Sequence, residues 1–258
     1  MNKHSDSFEP AETPVVHEVN GELSLHFDFP TIQSRMLRAE PERLVLDYTR
    51  TMMGFLLFAP NPRRIAMIGL GGGSLAKYCH RHLPASDFTA IEISPEVIAL
   101  REQFGIPDDS PRFRVVCADG ADFVARQADA FDVLLVDGFA RSGQPLQLCN
   151  PTFYDNCHAA LRPGGVLVVN LCTDDTGYGR YVARINDSFA AQLLVVEADE
   201  GENKIVFASK NRAFPPTLSE LTERLRELEG RHAVDLAQTA QKILSRQTAS
   251  PGRRQKRR

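Results

Sequence analysis

Three acids, Glu92, Asp119 and Asp137, stand at or just past the ends of short apolar runs. A fourth run, Arg64-Ile65-Ala66-Met67-Ile68, breaks directly into Gly69-Leu70-Gly71-Gly72-Gly73-Ser74. Glycines let a backbone turn sharply and approach a ligand with no Cβ in the way, and such a turn delivers the chain to a helix N-terminus. A plain strand-to-helix connection would use the same residues. Glu92 sharpens the reading, because it closes Phe88-Thr89-Ala90-Ile91 at about the 20-residue distance at which an acid accepts from a ribose hydroxyl pair in nucleotide-binding βαβ units. Each such bond to a charged acceptor contributes about 1.5–3 kcal/mol. Asp119 opens Asp119-Gly120-Ala121-Asp122-Phe123, where its side chain can accept from an adenine amino group, cap a helix, or do both with different oxygens. Asp137 ends Phe131-Asp132-Val133-Leu134-Leu135-Val136 and precedes Gly138. An acid there faces a cleft rather than a core.

The elements that must carry these residues alternate. Strands are expected at 64–69, 88–92, 112–117, 131–137 and 165–171, with helices near 73–82, 95–103, 120–128 and 151–161 between them. A helix near 181–190 and strands at 192–197 and 203–209 follow. The fold class is therefore α/β, a doubly wound, mostly parallel sheet covered on both faces. Its ligands sit outside the carboxyl ends of the strands, where the four features above converge. The turn reads Gly69-x-Gly71-x-x-Ser74 and lacks the third glycine of a dinucleotide site, while Glu92 is followed by Ser94-Pro95-Glu96, a helix start with a Ser cap and Pro at its first position. The pattern resembles the class I S-adenosylmethionine-dependent transferases more than the nicotinamide enzymes.

Upstream, Val15 to Phe29 alternates around Asn20-Gly21, a strong hairpin signal. Residues 41–58 carry a helical apolar pattern stopped by Pro60-Asn61-Pro62. The expected organisation is a mobile segment at 1–14, a hairpin and helix at 15–60, a transferase domain at 61–210, two amphipathic helices at 211–247 and a basic tail at 248–258. With 258 residues and 43% hydrophobic content, the chain can bury one substantial core. Five scattered cysteines give neither a disulfide framework nor a zinc site, and Cys117 reads as a small core residue. No metal is expected. No signal peptide and no apolar run of about 18 residues is present, so a cytoplasmic protein without membrane contact is expected. The net charge of −3 gives no bias toward nucleic acid, apart from a contact that Arg253-Arg254-Gln255-Lys256-Arg257-Arg258 could make.

Over residues 15 to 210 the chain resembles the spermidine synthase (polyamine aminopropyltransferase) family. The likeness lies in the hairpin, Ile32-Gln33, Asn61-Pro62-Arg63 before the glycine turn, Ile91-Glu92-Ile93, Asp119-Gly120, the run ending at Asp137, Phe153-Tyr154, and Leu161-Arg162-Pro163-Gly164-Gly165. The resemblance implies attack of an amine on the aminopropyl carbon of decarboxylated S-adenosylmethionine, releasing methylthioadenosine. It assigns Asp137 as the catalytic acid group, and Gln33, Gly69, Gly71, Glu92, Asp119 and Gly120 to the nucleoside. Tyr154 would line the amine channel, and a homodimer is common in the family. Two departures stand out. Gly72 occupies the place of an acid that holds the donor's aminopropyl nitrogen, and Ala140 that of a second acid after Asp137; Arg141 adds a positive charge. Asp47-Tyr48 replaces a Tyr-Gln or Tyr-His pair, and Asp47 could restore one anionic contact. Three readings follow: an aminopropyltransferase with an altered amine pocket, a methyltransferase using S-adenosylmethionine, or a nucleoside-binding protein on an inactive scaffold.

Overall fold

The structure, a computed structural model, describes residues 13–27, 32–140 and 143–249. The expected mobile N-terminus up to residue 12, the end of the hairpin run, Arg141 and the basic tail from residue 250 lie outside these, while residues 248–249 of the expected tail are helical.

Val15–Val19 (β1) and Glu22–His26 (β2) pair antiparallel across Asn20-Gly21, whose φ values of 52° and 78° are those a two-residue hairpin turn requires. Ser34–Leu37 (β3) adds to β2 as a third strand that the sequence pattern does not predict. At four residues it carries too short an alternation to register as a strand. The helix expected over 41–58 is shorter. Asp47–Met52 (α1) passes into a 3-10 turn over Met53–Leu57, where Gly54 lies so close to Thr239 and Phe207 that a Cβ would meet Thr239 Cγ2 at 2.7 Å. Its Met and aromatic stripe is core, as expected: Met52, Met53, Phe55, Leu56 and Leu57 are all buried.

The main sheet contains Arg64–Ile68 (β4), Asp87–Glu92 (β5), Phe113–Cys117 (β6), Phe131–Val136 (β7), Leu161–Cys172 (β8), Leu193–Glu197 (β9) and Asn203–Ser209 (β10). Its order is β6-β5-β4-β7-β8-β10-β9, parallel through β8 and antiparallel at β10 and β9. Between the parallel strands run Ser74–His82 (α2), Pro95–Ala99 (α3), Gly120–Ala125 (α4) and Pro151–Ala160 (α5). Tyr178–Ser188 (α6), Leu218–Leu228 (α7) and Leu236–Ala249 (α8) complete the chain. The α3 start is the predicted one, with Ser94 Oγ accepting from the Val97 N–H and Pro95 next to it. Its end comes earlier than expected, in a turned segment that finishes at Gly105 with φ of 62°.

Alternate residues of β7 serve opposite layers. Val133 and Leu135 join α1, α2, α7 and α8 in one core, while Leu134 and Val136 join α4, α5 and α6 in the other. A strand covered on both faces reads as a continuous apolar run, which is what Val133 to Val136 shows. β6, by contrast, is an edge strand, and Cys117 at its end is exposed rather than in the core.

Candidate active site

The order reverses at β4, whose neighbours β5 and β7 lie on opposite sides, so a crevice opens between the carboxyl ends of β4 and β7. Gly69 sits there with φ of 90°, and a Cβ on it would strike the backbone carbonyl of Asp137. Only glycine permits that contact. The Asp137 N–H donates to the Ile68 carbonyl at 2.9 Å and the Gly69 N–H to that of Ile91 at 2.8 Å, so this corner ties three strand ends together. Gly71, with φ of 52°, faces Ser34, 3.7 Å from the position of its missing Cβ. Gln33, half-buried and donating its N–H to the Leu25 carbonyl, directly precedes Ser34 in the chain. Gly120 lets the start of α4 close against Ile68.

Glu92 is only 8% exposed, and both its oxygens work on the backbone. Oε2 accepts from the Leu70 N–H and Oε1 from the Ser94 N–H, each at 2.9 Å. A carboxylate oxygen has room for a second donor, so this acid clamps the turn and keeps acceptor capacity beyond it. Asp119 caps α4, its Oδ1 accepting from Ala121 at 2.7 Å and Asp122 at 3.1 Å. Oδ2 takes no part in the cap.

Asp137 is held at both oxygens. Tyr48 Oη donates to Oδ2 at 3.2 Å and Asn170 Nδ2 to Oδ1 at 2.8 Å, while Asn203 Nδ2 donates to Asn170 Oδ1 at 2.9 Å. Burial pushes the Asp137 carboxyl above the usual aspartate range, against the pull of the two donors. Burial and the facing Asp137 charge push the Tyr48 phenol well upward, so it remains a donor. Asn170 is a site residue that the sequence motifs do not single out. A signal for it exists: one amide inside Val166-Leu167-Val168-Val169-Asn170-Leu171, buried at the cleft end of a strand.

Two expected substrate contacts are corrected. Asp47 does not face the cleft; Oδ1 accepts from Arg50 at 3.1 Å, and Oδ2 accepts from the backbone N–H groups of Asp199 and Glu200. Tyr154 is fully buried among Cys149, Cys157 and Tyr181 on the α5 side of the sheet, and burial raises its phenol. It is a core residue because α5 packs against α4, α6 and β8, which leaves Phe153 and Tyr154 no open face. At Gly72 a Cβ would meet Phe104 Cδ1 and Ser34 Oγ at 2.7 Å each, so the space for a side chain there is already filled. The described residues contain no cluster of His, Cys, Asp and Glu able to hold a metal and no helix long and apolar enough to cross a membrane.

A mostly parallel sheet with a glycine turn after β4, an acid closing β5 and a capping acid after β6 defines the class I transferase architecture. Human methyltransferase-like protein 13 in complex with SAH superposes with a TM-score of 0.65 at 26% identity, over 72% of this chain and 91% of that one. A probable spermidine synthase from Corynebacterium glutamicum superposes with a TM-score of 0.71 at 22% identity, over 92% and 90%. In sequence, residues 46–182 match the spermine/spermidine synthase domain. The polyamine aminopropyltransferase of Chromobacterium violaceum is 36% identical over 85% of each chain, and that of Neisseria meningitidis 35% identical over 82% of this chain and 81% of its own. The chain belongs to the spermine/spermidine synthase family.

Proposed function

We propose that this protein is a polyamine aminopropyltransferase that uses decarboxylated S-adenosylmethionine. The observation that carries the reading is Asp137, fixed at both oxygens in the β4–β7 crevice beside the glycine turn. Family membership supports the same reaction. Glu92 accepts from the ribose hydroxyls, Asp119 Oδ2 from the adenine amino group, and Gln33 closes the nucleoside against Gly69 and Gly71.

A primary amine, with a pKa near 10.4, arrives mostly as ammonium. Asp137 holds it and takes its proton. The freed nitrogen lone pair forms a bond to the aminopropyl methylene carbon, the carbon–sulfur bond breaks, and its electron pair leaves on the sulfur of methylthioadenosine. Asp137 then passes the proton to solvent. The sulfonium already activates the carbon, so alignment of the two reactants is the protein's main contribution, an effect worth up to about 7–11 kcal/mol. The test is incubation with decarboxylated S-adenosylmethionine and diamines: methylthioadenosine and a lengthened amine are expected, both lost in Asp137→Asn.

One observation favours a second reading, methyl transfer from S-adenosylmethionine. Phe104 and Ser34 fill the space that a carboxylate side chain at position 72 would need, and no acid there repels a methionine carboxylate. Adenosylhomocysteine and a methylated product in the same incubation would establish it.

A further inference from the structure

The carboxylate at the centre of the proposed reaction is held from behind by a chain of amides. Asn170 is 1% exposed, so water cannot stand in for either of its partners. An amide has one donating and one accepting end, and the groups at its two ends decide which way it turns. Asn203 directs a donor at Asn170, which therefore gives its oxygen to Asn203 and its NH2 to Asp137. Asn203 sits at the start of β10, where Ile205 lies opposite Asn170, so the two amides meet diagonally across the ladder.

The turn before β10 is anchored as well. Asp47 accepts from the N–H groups of Asp199 and Glu200, and the adjacent Tyr48 donates to Asp137. Two consecutive residues of α1 thus close a circuit, one holding the turn that leads to Asn203 and the other holding the carboxylate that Asn203 orders through Asn170. This explains why Asp47 is buried yet away from the cleft.

We propose that Asn203 is a positioning residue for Asp137, fixing through Asn170 the amide end that the carboxylate meets, with Asp47 anchoring the turn before it. The proposal rests on Asp137 being the group that takes the amine's proton. Tyr48 from α1 and Asn170 from β8 are the groups that bear directly on the Asp137 carboxyl. Reversing the amide puts an acceptor against it, which only protonated Asp137 can satisfy.

The experiment follows the Asp137 Cγ signal and the Asn170 side-chain NH2 signals by NMR against pH, in the full-length protein without substrate. In the wild type the Asn170 NH2 signals move with the Asp137 titration. Asn203→Asp replaces the donor by an acceptor of nearly equal volume, so Asn170 turns its NH2 toward position 203. The Asp137 titration midpoint then rises by about one pH unit or more, the Asn170 signals stop following it, and the acid limb of kcat/KM for the amine moves up with it, so that activity on that limb falls about tenfold per unit and recovers at higher pH. Asn203→Leu, which removes the donor without reversing the amide, lowers activity evenly across pH and moves the titration less. Wild-type Asn170 signals that ignore the Asp137 titration overturn the proposal without any variant. An unmoved titration in folded Asn203→Asp, or an equal rise in Asn203→Leu, overturns it too. A rise as predicted in a protein that makes no lengthened amine upholds the relay and removes the aminopropyl reading.

Discussion

Tyr48 donates its hydroxyl to Asp137 Oδ2 at 3.2 Å across 89 positions of sequence, joining the first helix to the end of the strand beside the glycine turn. The bond opposes the burial that raises the Asp137 carboxyl. Tyr48→Phe removes it, so the Asp137 pKa rises further and the acid limb of kcat/KM moves to higher pH. On that limb the activity falls about tenfold for every pH unit by which the pKa has risen. A pH profile of the variant with an unmoved acid limb would show that the hydroxyl does not act on Asp137.

Gly72 is held to glycine by its neighbours. Gly72→Asp therefore does not build an acidic donor contact but pushes against Phe104 and Ser34, at a cost of about 1–3 kcal/mol. The paired variant Gly72→Asp with Phe104→Ala relieves the clash. Denaturant unfolding of the single and double variants should show that the two costs do not add; simple additivity would mean that Phe104 is not what excludes the side chain.

Lys77 is 4% exposed, its Nζ donating to the Phe104 carbonyl at 2.7 Å and to Met36 Sδ at 2.9 Å, and burial brings its pKa down to about 8. Between about 8 and the ordinary value of 10.5 the unfolded chain holds a proton that the native one has released. Stability contributed at this site therefore rises with pH through that window, by up to about 1.4 kcal/mol per pH unit, and is flat below it. Urea titrations from pH 7 to 10 should show the rise in the wild type and its loss in Lys77→Met.

Glu92 has two duties, so its removal shows in two measurements. Glu92→Ala releases the Leu70 and Ser94 N–H groups and removes the acceptors proposed for the ribose. Calorimetry with methylthioadenosine should show affinity weaker by about tenfold or more, with a lower thermal midpoint. Weaker binding with an unchanged midpoint would remove the clamp from the account.

Much of this architecture is legible in the sequence because the periodicities are strong. β4, β5, β7 and β8 are apolar runs bounded by turn residues; Glu92 and Asp137 fall at the ends of β5 and β7, and Asp119 just past β6, for the same reason that ligands do. What escapes the sequence is decided by packing. Asp47 and Tyr48 are adjacent on α1, and helix geometry points neighbours about 100° apart, so pattern alone does not say which of them meets Asp137. Tyr154 lies on the buried face of α5, and that burial depends on how α4 and α6 close over α5. Asn170 and Asn203 are brought together only by the antiparallel return of β10 against β8, a pairing that no spacing in the chain encodes.

The most direct test of the account is product analysis by mass spectrometry. The purified protein is incubated with decarboxylated S-adenosylmethionine or S-adenosylmethionine and a mixture of putrescine, cadaverine and spermidine. The account predicts methylthioadenosine and an amine lengthened by one aminopropyl group from the decarboxylated donor, both absent in Asp137→Asn. Adenosylhomocysteine with a methylated product, or aminopropyl transfer that survives Asp137→Asn, would contradict it.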